Sequence, residues 1–107
     1  EGYAYYNGKI GSCDVVSIPL TDRLIYFGEG VYDVIVGHHG NLFLEDEHIE
    51  RFFSNMEFLR IQPPGEKAEI KEIIHKIIEY SGYESYLVYV SSSRNSPWRI
   101  SASSLTV

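Results

Sequence analysis

Hydrophobic positions along the chain recur at two different periods, and the switch between them divides it into elements. Val31 to Val36 alternates, so Tyr32, Val34 and Val36 fall on one face of a strand and Val31, Asp33 and Ile35 on the other. Further on the period lengthens. Ile49, Phe52, Phe53 and Met56 recur at helical spacing, as do Ile70, Ile73, Ile74, Ile77 and Ile78, which predicts two amphipathic helices. Pro63-Pro64-Gly65 separates them, because a proline inside a helix loses a hydrogen bond and clashes with the preceding turn. Gly82 ends the second helix, and Tyr86 to Val90 reads as a buried strand.

Turn chemistry supplies the remaining boundaries. Tyr3 to Tyr6, Asn7-Gly8-Lys9 and Ile10 read as a hairpin, since Asn-Gly tolerates the positive φ angles of a tight turn. Val15 to Leu20 reads as extended, and Thr21-Asp22 as the cap of a short helical turn ended by Gly28-Glu29-Gly30. Gly37-His38-His39-Gly40 closes a second hairpin onto Asn41 to Leu44. Beyond Val90 the pattern fades into Ser91-Ser92-Ser93 and the serines from 101 to 104, with Trp98 as the only large anchor. Strands, a helix pair and another strand predict an α+β domain over residues 1–90, followed by a polar tail over 91–107.

Composition narrows what such a domain does. The chain has 107 residues, enough for one compact domain, and a net charge of −6. Its Lys and Arg are thinly spread, so no basic patch exists for nucleic acid. No apolar run approaches the roughly 18 residues of a membrane helix. Glu1 to Asn7 does not read as a signal peptide, and an opening Glu in place of Met suggests a trimmed or selected piece. Cys13 is the single cysteine, which excludes an internal disulfide and a thiolate cluster and suits the cytoplasm. His38 and His39 are adjacent and point apart if extended, and His75 falls on a polar helix face, so no metal site is expected.

Two segments concentrate candidate chemistry. Gly28-Glu29-Gly30 lacks the third glycine and the Lys of a phosphate loop, and by itself reads as a structural turn at the foot of a strand. On the first helix, Arg51 projects nearly opposite the apolar stripe, with His48 about 60° away on the same side. That arrangement fits a solvated polar face. Phe58, however, lies seven positions after Arg51 and projects the same way, which predicts a cover from outside the segment. Tyr32, taken by itself, reads as a half-buried strand tyrosine.

Taken in order, D-R-x-x-x-F-G-E-G-V-Y-D-V (22–34), a short hairpin and E-H-I-E-R-F-F (47–53) resemble the first domain of class IV (fold-type IV) pyridoxal-phosphate aminotransferases. Tyr5-Tyr6-Asn7-Gly8-Lys9-Ile10 and Ile61-Gln62-Pro63 resemble its D-amino-acid branch, with branched-chain aminotransferases and aminodeoxychorismate lyase as relatives. The resemblance covers residues 2–90. It implies that the cofactor is pyridoxal 5'-phosphate, that Arg51 holds its phosphate, and that His48 supports Arg51 without a direct role. It also implies that Tyr32 and Val34 line the substrate pocket, that an amino acid and a 2-oxo acid are the substrates, and that the enzyme is a homodimer.

In the tail, Arg94 and Arg99 keep the five-residue spacing of the family's T-R-G segment and its carboxylate-clamping arginine, but Asn95 stands for the glycine and Ser101 for the histidine. By resemblance Arg99 is a substrate ligand; by its surroundings it reads equally as a solvated arginine. The lysine to which the cofactor is linked belongs, in the family, to a second domain beyond residue 107. Lys9, Lys67, Lys71 and Lys76 all read as solvated, so the chain alone is expected to be inactive. The reading from a different class is a non-catalytic, dimerising interaction module that keeps the same fold.

Overall fold

The computed structural model describes residues 2–12, 30–94 and 96–105. Six strands form one antiparallel sheet: β1 (Gly2–Tyr6), β2 (Lys9–Ser12), β3 (Val31–His38), β4 (Asn41–Leu42), β5 (Ser85–Ser92) and β6 (Arg99–Ser104), in the order β2-β1-β6-β5-β3-β4. Helices α1 (Glu45–Phe58) and α2 (Lys67–Ser81) cover one face of it. This is the α+β architecture that the periodicity predicts.

Local chemistry sets the corners. Asn7 and Gly8 take φ of 52° and 86°, and His39 and Gly40 repeat the pattern at 52° and 82°, so both hairpins close through two-residue turns with the twist strands require. The second hairpin is shorter than the sequence suggests. β4 stops at Leu42, because Leu44 adopts a left-handed φ of 53° that turns the chain into α1. Glu45, Asp46 and Glu47 then place negative charge against the helix's positive N-terminal end. Glu66 and Glu69 form a reciprocal capping box on α2, and Gly82 ends it at φ 71°.

The core lies between the helices and the inward sheet face. Ile49, Phe52 and Met56 of α1 and Ile70, Ile74, Ile77 and Ile78 of α2 are buried against Val31, Ile35, Tyr86, Val88, Val90, Ile100 and Ala102. The stripe residues Phe53 and Ile73 sit half-buried at its margin. On β5 the fully buried residues share one face: Tyr86, Val88, Val90 and Ser92 are buried, while Tyr89 on the other face is exposed. The buried strand expected from Tyr86 to Val90 is therefore buried on one side.

The serine-rich stretch after residue 90 differs most from expectation. It is no loose tail, since β6 lies between β1 and β5 and pairs with both. Small serines alternate there with Ile100 and Ala102, whose inward burial supplies the driving force. Trp98 is buried edge-on to Phe53, with ring centroids 6.0 Å apart. The histidines differ as well. His39 occupies the left-handed turn, so its ring meets that of His38 edge-on at 3.9 Å instead of pointing away. The extended segment predicted at 15–20, the helical turn after Thr21, and Gly28-Glu29 lie outside the described residues.

Candidate functional site

Two groups of side chains form on opposite faces of β3. On the helix side Asp33, 4% exposed, points toward α1 among Val31 and Ile35. A carboxylate there must be partnered, and Arg51 and His48 partner it. Arg51 Nη2 donates to Asp33 Oδ1 at 2.7 Å and Nε donates to Oδ2 at 3.0 Å, a two-pronged ion pair. His48 Nδ1 lies 2.9 Å from Oδ1, and the backbone N–H of Val34 donates to the same oxygen at 2.8 Å. Helical spacing is responsible for the convergence: His48 and Arg51 are one turn apart on α1, so both reach the strand beside it.

Electrostatics follow from that cluster. Burial raises the Asp33 carboxyl pKa, but the hydrogen bonds from Arg51, His48 and Val34, aided by the Arg51 charge, outweigh burial and hold it below the ordinary 3.8. Arg51 shifts up in turn, through its hydrogen bond to Asp33 and the Asp33 charge. Its side chain is nonetheless 62% exposed. Only the Nε–Nη2 edge faces Asp33, so Nη1 remains directed at a ligand or solvent.

The other face of the sheet gathers Tyr32, Val34 and Arg99. Tyr32 opposes Ser91 on β5, and Ser91 opposes Arg99 on β6, so the three form one row across the sheet. Tyr32 and Arg99 backbones are therefore about 10 Å apart, two strand spacings. Val34 begins the next row, followed by Tyr89 and Ser101. Tyr32 is 72% exposed.

Arg99 is 7% exposed, which overturns the reading of it as a solvated arginine. Its Nε donates to Ser91 Oγ at 3.2 Å and its Nη2 to Ser93 Oγ at 3.3 Å. Arg94, by contrast, is exposed and donates to the backbone oxygen of Arg60.

Sequence reasoning grouped Asp33 with Val31 and Ile35 on one strand face but gave it no role, and it missed Ser91, Ser93 and Tyr89. A charged residue at an inward strand position was the available signal for Asp33. Nothing local marks the serines, because their part depends on strand neighbours. Phe58 is 83% exposed on the side away from the core, as its spacing predicts. Lys67 pairs with Glu50 and Lys71 with Asp46, while Lys9 and Lys76 are exposed. A cavity of about 430 Å³ between Tyr5, Gln62, Pro63, Ile73 and Trp98 includes none of the predicted site residues. Among the described residues no helix is long and apolar enough to cross a membrane.

This fold is that of the first part of fold-type IV aminotransferases. It matches a branched-chain amino acid aminotransferase of T.th., solved with pyridoxamine 5'-phosphate, at a TM-score of 0.84 and 19% identity, over 99% of this chain and 40% of that one. The branched-chain amino acid aminotransferase of Escherichia coli gives a TM-score of 0.78 at 13% identity, over 99% and 41%. In sequence the chain resembles D-alanine aminotransferases. It is 28% identical to that of Listeria monocytogenes (strain 10403S) over 82% of its own length, and 27% identical to that of Staphylococcus aureus (strain MSSA476) over 84%. It spans 30% and 32% of those relatives' lengths. No family model matches the chain.

Proposed function

We propose that the chain is the N-terminal portion of a pyridoxal-phosphate-dependent aminotransferase of the D-amino-acid type, a cytoplasmic homodimer acting on amino acids and 2-oxo acids. The row Tyr32–Ser91–Arg99 with Val34 beside it carries this reading, because residues distant in sequence converge on the sheet face opposite the helices. The D-amino-acid branch is preferred because the matched relatives in sequence are D-alanine aminotransferases. The single cysteine is in keeping with the cytoplasm.

Arg51 fits the cofactor's phosphate. It offers a planar, permanently charged fork whose outer donors face away from Asp33, and a phosphate dianion accepts such donors in pairs. When bound, pyridoxal phosphate supplies the electron sink for the bond broken at the amino acid's α-carbon. The substrate carboxylate is held by Arg99, whose guanidinium is oriented by Ser91 and Ser93. The Tyr32 hydroxyl donates a further hydrogen bond to that carboxylate, and Val34 forms an apolar wall.

Arg51 and the Tyr32 row lie on opposite faces of β3. They meet only around the part of the β3 edge that β4 leaves unpaired among the described residues, or across a subunit interface, and a homodimer supplies the second arrangement. Lys9 shares the Tyr32–Ser91–Arg99 row but lies on β2, four strand spacings or about 19 Å from Tyr32. Lys67 and Lys71 are held by carboxylates on the helix side, and Lys76 projects from the polar face of α2. None is placed to take the cofactor, so the chain by itself turns over no amino acid.

Replacing Arg51 tests the reading. As an isolated exposed charge Arg51 would be neutral to stability, but its bond to buried Asp33 makes Ala costly and Lys the better variant. Arg51→Lys keeps a cation by Asp33 and loses the fork. We expect cofactor affinity in the intact protein to fall by about ten- to a hundredfold, the worth of one charge-assisted bond. Unchanged affinity in both Arg51→Lys and Arg51→Ala refutes the assignment.

A further inference from the structure

We propose that Asp33 is a positioning residue which holds Arg51 in its phosphate-gripping orientation before the cofactor arrives. The inference rests on the reading of Arg51 as the phosphate ligand and adds a residue whose own side chain touches neither cofactor nor substrate. An arginine on a helix surface samples many rotamers, and freezing it on binding costs affinity. Here the freezing occurs in the unliganded protein. Both oxygens of Asp33 grip the Nε–Nη2 edge, at 3.0 and 2.7 Å, and this fixes the guanidinium plane and turns Nη1 outward.

Asp33 is itself held. Its strand position is set by the pairing of β3 with β5, where Asp33 opposes Val90. Its Oδ1 accepts the Val34 N–H and the His48 Nδ1–H at 2.8 and 2.9 Å, so the carboxylate cannot swing to follow Arg51. That contact also fixes the His48 tautomer with its proton on Nδ1. The 3.3 Å approach of Arg51 Nη2 to Nδ1 is then proximity and not a bond. His48 thereby acts on Arg51 only through Asp33.

An opposing effect exists, because a carboxylate behind the arginine repels an incoming dianion. Its weight is limited by solvent: the Arg51 side chain is 62% exposed, and water and salt screen charges across such a rim. The restraint on the guanidinium acts at contact and is not screened. Positioning therefore wins, and Asp33→Asn must weaken phosphate binding even though it removes a negative charge. Its amide nitrogen would face a guanidinium donor, which releases one prong of the fork.

The test titrates the intact protein with pyridoxal phosphate and, separately, with pyridoxal, which lacks the phosphate. Asp33→Asn is expected to raise the Kd for pyridoxal phosphate about tenfold, the cost of immobilising one long side chain, and to leave the Kd for pyridoxal unchanged. A merely structural role would weaken both alike. In an Arg51→Ala background, Asp33→Asn is expected to cost no further affinity. If Arg51→Ala weakens pyridoxal phosphate binding while Asp33→Asn leaves it equal or tighter, the positioning role is overturned and the phosphate reading stands. If Arg51→Ala has no effect, the phosphate reading itself is overturned. Should Asp33→Asn fail to fold, ¹⁵N relaxation of the Arg51 Nε in the cofactor-free wild type decides. An order parameter near the rigid value of about 0.85 supports the proposal, and one below about 0.6 overturns it.

Discussion

Gly37→Ala adds a single methyl group at the far end of the strand that carries Tyr32, Asp33 and Val34. Gly37 faces the core directly opposite Tyr86 on β5, and Tyr86 is fully buried. An added Cβ would lie 2.1 Å from Tyr86 Cε1 and 2.9 Å from Cδ1 and Cζ. Non-bonded carbons rest at about 3.5 Å or more, so the ring must retreat by about 1.4 Å at Cε1. A core packed like a crystal has no such space, and either the ring leaves its rotamer or β3 and β5 separate. Overpacking of this kind costs up to about 3 kcal/mol. Replacing Gly by Ala in a strand recovers about 0.5–1 kcal/mol of chain entropy. The net expectation is a loss of about 2 kcal/mol, or about 1 M in the urea midpoint at an m-value of about 2 kcal/mol/M. Tyr86→Ala creates a cavity and is destabilising too, but the double variant is expected to be no less stable than Tyr86→Ala alone, because the new methyl enters vacated space. A urea midpoint for Gly37→Ala equal to or above wild type refutes the packing argument, and so does simple additivity in the double variant.

Three further outcomes are expected. The Asp33 carboxyl is held below its ordinary 3.8, so the stability it contributes is complete above that value and disappears as pH falls through the lower folded one; the stability gap between wild type and Asp33→Asn should therefore narrow on acidification in thermal melts, and a gap that widens refutes the ion pair. Phe58→Ser should raise the solubility of the 107-residue chain and reduce its self-association by sedimentation, since burying a phenyl ring against a neighbour is worth roughly 1.5–3 kcal/mol; unchanged association would show that Phe58 contacts nothing. Finally, the chain mixed with pyridoxal phosphate and borohydride should retain no site-specific adduct by mass spectrometry, and stoichiometric labelling of Lys9, Lys67, Lys71 or Lys76 would contradict the reading of those four as solvent-facing.

Periodicity and turn chemistry alone determined the local geometry of this chain. The stripe Ile49–Phe52–Met56 fixed which side of α1 is buried, and so which side carries His48, Arg51 and Phe58. Alternation in β3 separated Tyr32 and Val34 from Asp33, and Asn7-Gly8 and His39-Gly40 located the hairpins. Each of these is a property of a few adjacent residues, set by helix and strand geometry whatever the rest of the chain does. Neighbours across the sheet are different. Asp33 meets Arg51 18 residues away because α1 packs on β3, and Arg99 joins Tyr32's row because β5 lies between β6 and β3. β6 was illegible because its serines carry almost no hydrophobic signal, and its place is decided by backbone pairing with β1 and β5. That pairing also brings Arg99 beside Ser91 and Ser93. Such contacts are made by loop closure and burial of the assembled sheet, which a local pattern does not encode, so the faces of the site were readable in the sequence and their convergence was a product of the tertiary structure.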